Sequence, residues 1–95
     1  MISLQTKYRP HPEVIATTLS DNEVVLLHLQ THHYYTLNAT GAQIWSRLSS
    51  DHSPAQISEE LTASYDISFV DACTHVQDLL KNLAAEQLIQ PIAAA

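Results

Sequence analysis

The sequence predicts an α+β domain in which a three-stranded antiparallel meander is followed by a three-helix bundle. Three observations carry that expectation. Residues 13–37 are rich in β-branched and aromatic side chains and alternate with a period of two. From Asn38 onward the apolar positions recur every three or four residues instead. Three helix starts are each written as a capping residue followed by a helical pattern.

Residues 13–19 form the first strand, and Ser20, Asp21 and Asn22 supply a turn. Residues 23–29 form the second strand, with Val25, Leu27 and Leu29 on one face and Val24, Leu26 and His28 on the other. Residues 30–33 connect to a third strand at residues 34–37, whose alternation assigns Tyr35 and Leu37 to the core. Asn38 or Thr40 caps the first helix, and Thr40 with Gln43 fits a capping box; Gly41, Ile44, Trp45 and Leu48 make its apolar stripe. Ser53 caps a second helix, with Pro54 at the favoured first position and Ile57 and Leu61 toward the core. Tyr65, Asp66 and Ile67 separate it from the third in the manner of a helix-turn-helix. Ser68 starts that third helix, which runs to about Gln87 with Phe69, Cys73, Val76, Leu80, Leu83 and Ala84 in its stripe. Residues 88–92 read as a tail closed by Pro91. The whole is expected to be a single domain over 1–95, with its core at about 13–90.

The chain has 95 residues, 45% of them hydrophobic and 15% charged, enough apolar surface for one modest core. Rossmann and barrel enzymes need about twice that length or more. Ten acids face four bases, for a net charge of −6. Lys7, Arg9, Arg47 and Lys81 are too few and too scattered to neutralise a phosphate backbone or an anionic membrane, so neither is an expected partner. The single cysteine forbids an internal disulfide. No apolar segment follows the first basic residues, and the longest aliphatic run, residues 24–27, cannot span a bilayer. The expectation is a soluble cytoplasmic protein.

His28, His32 and His33 lie near one hairpin, but zinc requires three or four ligands and no second ligand cluster has suitable spacing. They read as solvated turn histidines, and no metal is expected. Cys73 and His75 are two apart on a helix and point to different sides, so Cys73 reads as an inert buried thiol. Gly41 is the only glycine, so there is no phosphate-cradling loop. Glu59 and Glu60 read as helix solvation. No constellation supports catalysis or a cofactor. The third strand is the informative element: it ends a meander yet carries neither charge nor proline to blunt an edge. Either another part of the chain covers it or it receives a partner strand; the residues alone leave these alternatives balanced.

The stretch VVLLHLQTHHYYTLNATGAQIWSRL resembles the PqqD-like family of peptide-modification chaperones. The similarity rests on the aliphatic strand 24–29, Tyr35-x-Leu37-Asn38, Gly41-Ala42 and Ile44-Trp45, and continues to Leu88-Ile89. It implies a winged helix-turn-helix that binds peptide rather than DNA, a recognition element for the leader of a ribosomally made precursor. The leader is added beside the third strand, with the third helix as the other wall of the groove. The resemblance thus implies peptide-binding residues Tyr34, Tyr35, Thr36 and Leu37 on the strand, and Ala72, His75, Val76, Leu79 and Asn82 on the helix. The opposite helix flank, Val70, Thr74, Gln77 and Lys81, is the alternative wall.

Tyr34, Tyr35 and Trp45 favour the lasso-peptide members, whose partners are a leader peptidase and a macrolactam-forming cyclase. The alternative is a PqqD-type partner of a radical SAM enzyme in quinone-cofactor or other peptide maturation. A DNA-binding winged helix is disfavoured by charge, and self-association as a weak homodimer or structural module stays open. Three departures stand out. Relatives often carry glycine where this chain has His32 and Gln87, and an acid where it has His75.

Overall fold

The computed structural model describes residues 6–19 and 23–92. The elements in order are β1 (Tyr8–Pro10), β2 (Val14–Thr18), β3 (Val24–His28), β4 (Tyr34–Leu37), α1 (Ala39–Ser49), α2 (Pro54–Ser64), α3 (Phe69–Ala85) and β5 (Ile89–Pro91). The fold is therefore α+β, with the expected meander β2-β3-β4 and three helices after it. The predicted turn at Ser20, Asp21 and Asn22 lies outside the described residues.

The meander is antiparallel throughout, and Leu26 is its centre, opposite Ala16 on one side and Tyr35 on the other. Val24, Leu26 and His28 turn inward, as Leu37 does; Leu27 and Leu29 are exposed. The two-residue period thus selects one face for burial against the helices. Ile44, Leu48, Ile57, Leu61, Leu80 and Leu83 fill the space beneath it, each at 2% exposure or less. Burying such a side chain fully stabilises the fold by roughly 1.5–3 kcal/mol.

Residues 88–92 are not a tail. β5 pairs antiparallel with β1 in a second, two-stranded sheet, and Tyr8 enters the same core as the helices. Strands of three residues, each ending in proline (Pro10 and Pro91), carry too little periodicity to be read from sequence.

The helix starts follow the capping chemistry. Asn38, not Thr40, caps α1: its Oδ1 accepts the Gly41 N–H at 2.8 Å. Gln43 instead donates from Nε2 to the Ser64 hydroxyl at 3.3 Å. Ser53 and Gln56 form a reciprocal capping box on α2, with Pro54 at the first position. Ser68 caps α3 through the Asp71 N–H.

The ends of α1 and α3 are built alike. Asp51 (φ 66°) and Gln87 (φ 60°) sit in the left-handed region just past the two helices. The Gln87 N–H donates to the Ala84 carbonyl and the Leu88 N–H to the Leu83 carbonyl, the hydrogen-bond pair of a Schellman motif. α3 therefore stops at Ala85 rather than Gln87. Phe69 is 43% exposed and leaves the stripe, because a first-turn side chain points back beyond the helix start. Ala72 and Cys73 take the buried positions there.

His28 is not a solvated turn residue. It is buried at 1% exposure, and its Nδ1 accepts the Gln30 N–H at 3.2 Å and the Thr31 N–H at 3.4 Å. Its ring lies against His11, 4.6 Å between centroids. It organises the β3–β4 hairpin, in which His32 adopts φ 64°. Glu60 is likewise more than helix solvation: its carboxylate meets Arg47 Nε at 3.3 Å and His52 Nδ1 at 3.2 Å, tying the end of α1 to α2.

Candidate functional site

β4 lies at an edge of the β2-β3-β4 sheet, and β1 and β5 pair with each other rather than with it. The phase of its hydrogen bonding follows from one contact: the His28 N–H donates to the His33 carbonyl at 2.9 Å. Antiparallel pairs alternate between bonded and non-bonded, so Tyr35 and Leu37 exchange bonds with β3. The N–H and C=O groups of Tyr34 and Thr36 therefore point away from the sheet. Among the described residues no strand receives them.

The side chains divide the other way. Leu37 is buried, Tyr35 is half-buried against the core, and Tyr34 and Thr36 are exposed. Below the free edge a cavity of about 270 Å³ runs along β4 between Tyr35, Thr36 and Leu37 and the side chain of Leu79 on α3. A second cavity of about 380 Å³ adjoins it, sharing Asn38, Gly41 and Leu79. It continues past Ile44 and Leu61 to Tyr65, Ile67 and His75. The two make one groove, walled by β4 and α3 and floored by the start of α1. Gly41 keeps that floor low: a Cβ there would stand 3.3 Å from Leu37 and from the Asn38 cap.

Leu79 and His75 line the groove; Asn82 is exposed on the same side of α3 but lines neither cavity. Ala72 and Val76 are at 0% exposure and belong to the core, so they support the wall from behind and offer no surface of their own. Packing decides this: both face the centre of the buried stripe. Val70, Thr74, Gln77 and Lys81 of the opposite flank line neither cavity. Ile44, Asn38, Thr40, Gly41 and Tyr65 are groove residues that the sequence marks only as stripe, cap or turn, because cap, floor and turn meet only in the fold.

No three His, Cys, Asp or Glu side chains among the described residues are grouped to hold a metal ion. Cys73 is a buried free thiol.

The family model described as Coenzyme PQQ synthesis protein D (PqqD) matches residues 23–89. Two solved structures share the fold over 90% of this chain and 99% of their own. One, titled "TbiB1 in Complex with the TbiA(beta) Leader Peptide", is 34% identical with a TM-score of 0.83. The other, "Lasso peptide synthetase B1 complexed with the leader peptide", is 32% identical with a TM-score of 0.82. No curated protein matches the chain by sequence.

Proposed function

The chain belongs to the PqqD family, and from that premise we propose that it is a non-catalytic adaptor for the leader segment of a ribosomally made precursor peptide. The leader adds as a strand to β4, and the adaptor presents the precursor to the enzymes that modify it. The observation that carries this reading is the outward-facing edge of Tyr34 and Thr36 beside an apolar groove. Main-chain bonds to that edge supply affinity largely independent of sequence, and the cavities beside Leu79 take alternate leader side chains. Tyr34, Tyr35, Thr36 and Leu37 contribute the strand, while His75 and Leu79 contribute the wall, with Asn82 at its margin. Ala72 and Val76 hold the wall in place.

Both solved structures named above carry a leader peptide, and one is called a lasso peptide synthetase component. They favour lasso-peptide biosynthesis, with a leader peptidase and a cyclase as client enzymes. The second reading, partnership with a radical SAM enzyme in quinone-cofactor synthesis, draws on the description of the family model. We place the protein in the cytoplasm, where precursors are made; among the described residues no helix is long and apolar enough to cross a membrane.

The test is amide exchange with the N-terminal segment of the precursor encoded in the gene neighbourhood. Exchange at residues 31–37 slows if the leader adds to β4. Demonstrated binding with unchanged exchange there overturns the geometry.

A further inference from the structure

The charge around the groove is one-sided. Glu23 is the carboxylate lining the β4 cavity, and the register of β3 with β4 places it at the Leu37 end of that strand. On α3, Asp71, His75, Asp78 and Leu79 fall within an arc of about 100°, counted at ~100° per residue. Two further exposed carboxylates therefore stand on the flank that carries the groove wall. No lysine or arginine lines either cavity. Lys7 and Arg9 flank Tyr8 at β1, Arg47 is held by Glu60, and Lys81 follows Asp78 by three residues on the side of α3 away from Leu79. Among the described residues, Glu23, Asp71 and Asp78 take part in none of the ion pairs, which use Glu60 and Glu86.

We infer that the groove selects a cationic leader, one whose added strand sets a lysine or arginine side chain against Glu23. The inference rests on the strand-addition reading and adds the chemistry of the ligand to it. An added strand fixes side-chain spacing at about 3.3 Å per residue. The cation therefore stands at a constant offset from the apolar residue that enters the cavity beside Leu79 and Ile44. Asp71 adds a negative field beside the groove, and Asp78 adds less because Lys81 stands one turn away; that field draws a cationic segment toward the groove and repels an acidic one. Glu23 is a specificity residue for register: it distinguishes where along β4 the leader stops.

A display library of random twelve-residue peptides, selected on the full chain and on Glu23→Gln and Glu23→Lys, tests this. Glu23 is exposed, so both variants are expected to melt with the wild type. Wild-type selections should carry Lys or Arg at one offset from an apolar anchor. Glu23→Gln should keep the anchor and lose the cation, and Glu23→Lys should select Asp or Glu at that offset. The synthetic wild-type consensus should bind Glu23→Gln about two- to five-fold more weakly, the range of an exposed ion pair. Higher salt should narrow that gap.

An anchor without a fixed cation, or the same cation on all three proteins, overturns the inference and leaves strand addition standing. Selected peptides that bind Thr36→Pro as tightly as wild type, or no enrichment at all, overturn strand addition and the inference with it.

Discussion

Replacing Thr36 by proline separates leader binding from folding. The ladder phase directs the Thr36 N–H away from β3, so its loss removes no bond from the sheet. The side chain is exposed, and proline is tolerated on edge strands whose N–H faces outward. The folding cost is the shift of φ toward −65°, expected to stay under ~1 kcal/mol, or a fall of a few degrees in Tm. Binding loses one main-chain bond, worth about 0.5–1.5 kcal/mol and thus roughly two- to twelve-fold in Kd. The ring carbon also intrudes into the ~4.8 Å spacing that an added strand needs, which disturbs the neighbouring bonds. The expected total is at least about ten-fold. Tyr35→Pro is the counterpart: it strips a donor from the β3–β4 ladder and should lower Tm more than Thr36→Pro does. Circular dichroism melts and fluorescence anisotropy with a labelled leader read both effects. Wild-type affinity in Thr36→Pro, with the fold intact, would refute strand addition at β4.

Leu79→Glu should weaken leader binding by ~2 kcal/mol or more, because a carboxylate would be desolvated in the groove, whereas Lys81→Glu on the other flank should bind near wild type in the same titration. Trp45, 8% exposed, anchors α1; Trp45→Ala should cost ~3 kcal/mol or more, and an unchanged Tm would show that its ring carries no core contacts. Gln87→Gly should stabilise the fold by about 0.5–1 kcal/mol in urea melts, since glycine meets φ 60° without a Cβ clash but gives up some chain entropy. A loss of stability there would mean that the Gln87 side chain does more than close the Schellman turn.

Most of the secondary structure obeys local rules. Ser53-Pro54, Ser68 and the stripe Gly41, Ile44, Trp45 and Leu48 were legible because caps and periodicity depend on near neighbours in sequence. His32 and Gln87, where the resemblance put glycine in relatives, are two of the three non-glycine residues with positive φ among the described residues. Distant partners leave no such local mark. The β1–β5 sheet joins residues 8–10 to 89–91, and neither strand alone is long enough to show a period. The burial of His28 is invisible in sequence because a hairpin histidine gives no sign of the cover that His11, distant along the chain, provides.

The candidate site shows the same division. By itself the sequence determined that the third strand has neither charge nor proline to blunt an edge; that no other strand of the described residues covers it was decided by the fold. It also determined that Tyr35 and Leu37 would share one face and Tyr34 and Thr36 the other, since side chains alternate by necessity; the fold turns Tyr35 and Leu37 inward. Which flank of α3 meets that edge was decided only by tertiary packing. Ala72, Val76 and Leu79 are neighbours on one helical surface, and the apolar pattern alone does not separate them. Their burial depends on how α3 packs against its neighbours, chiefly α2, which leaves the first two at 0% exposure and Leu79 open to the groove. A helix's own sequence specifies the width of its apolar stripe, but the margin of that stripe faces whatever the rest of the fold leaves uncovered.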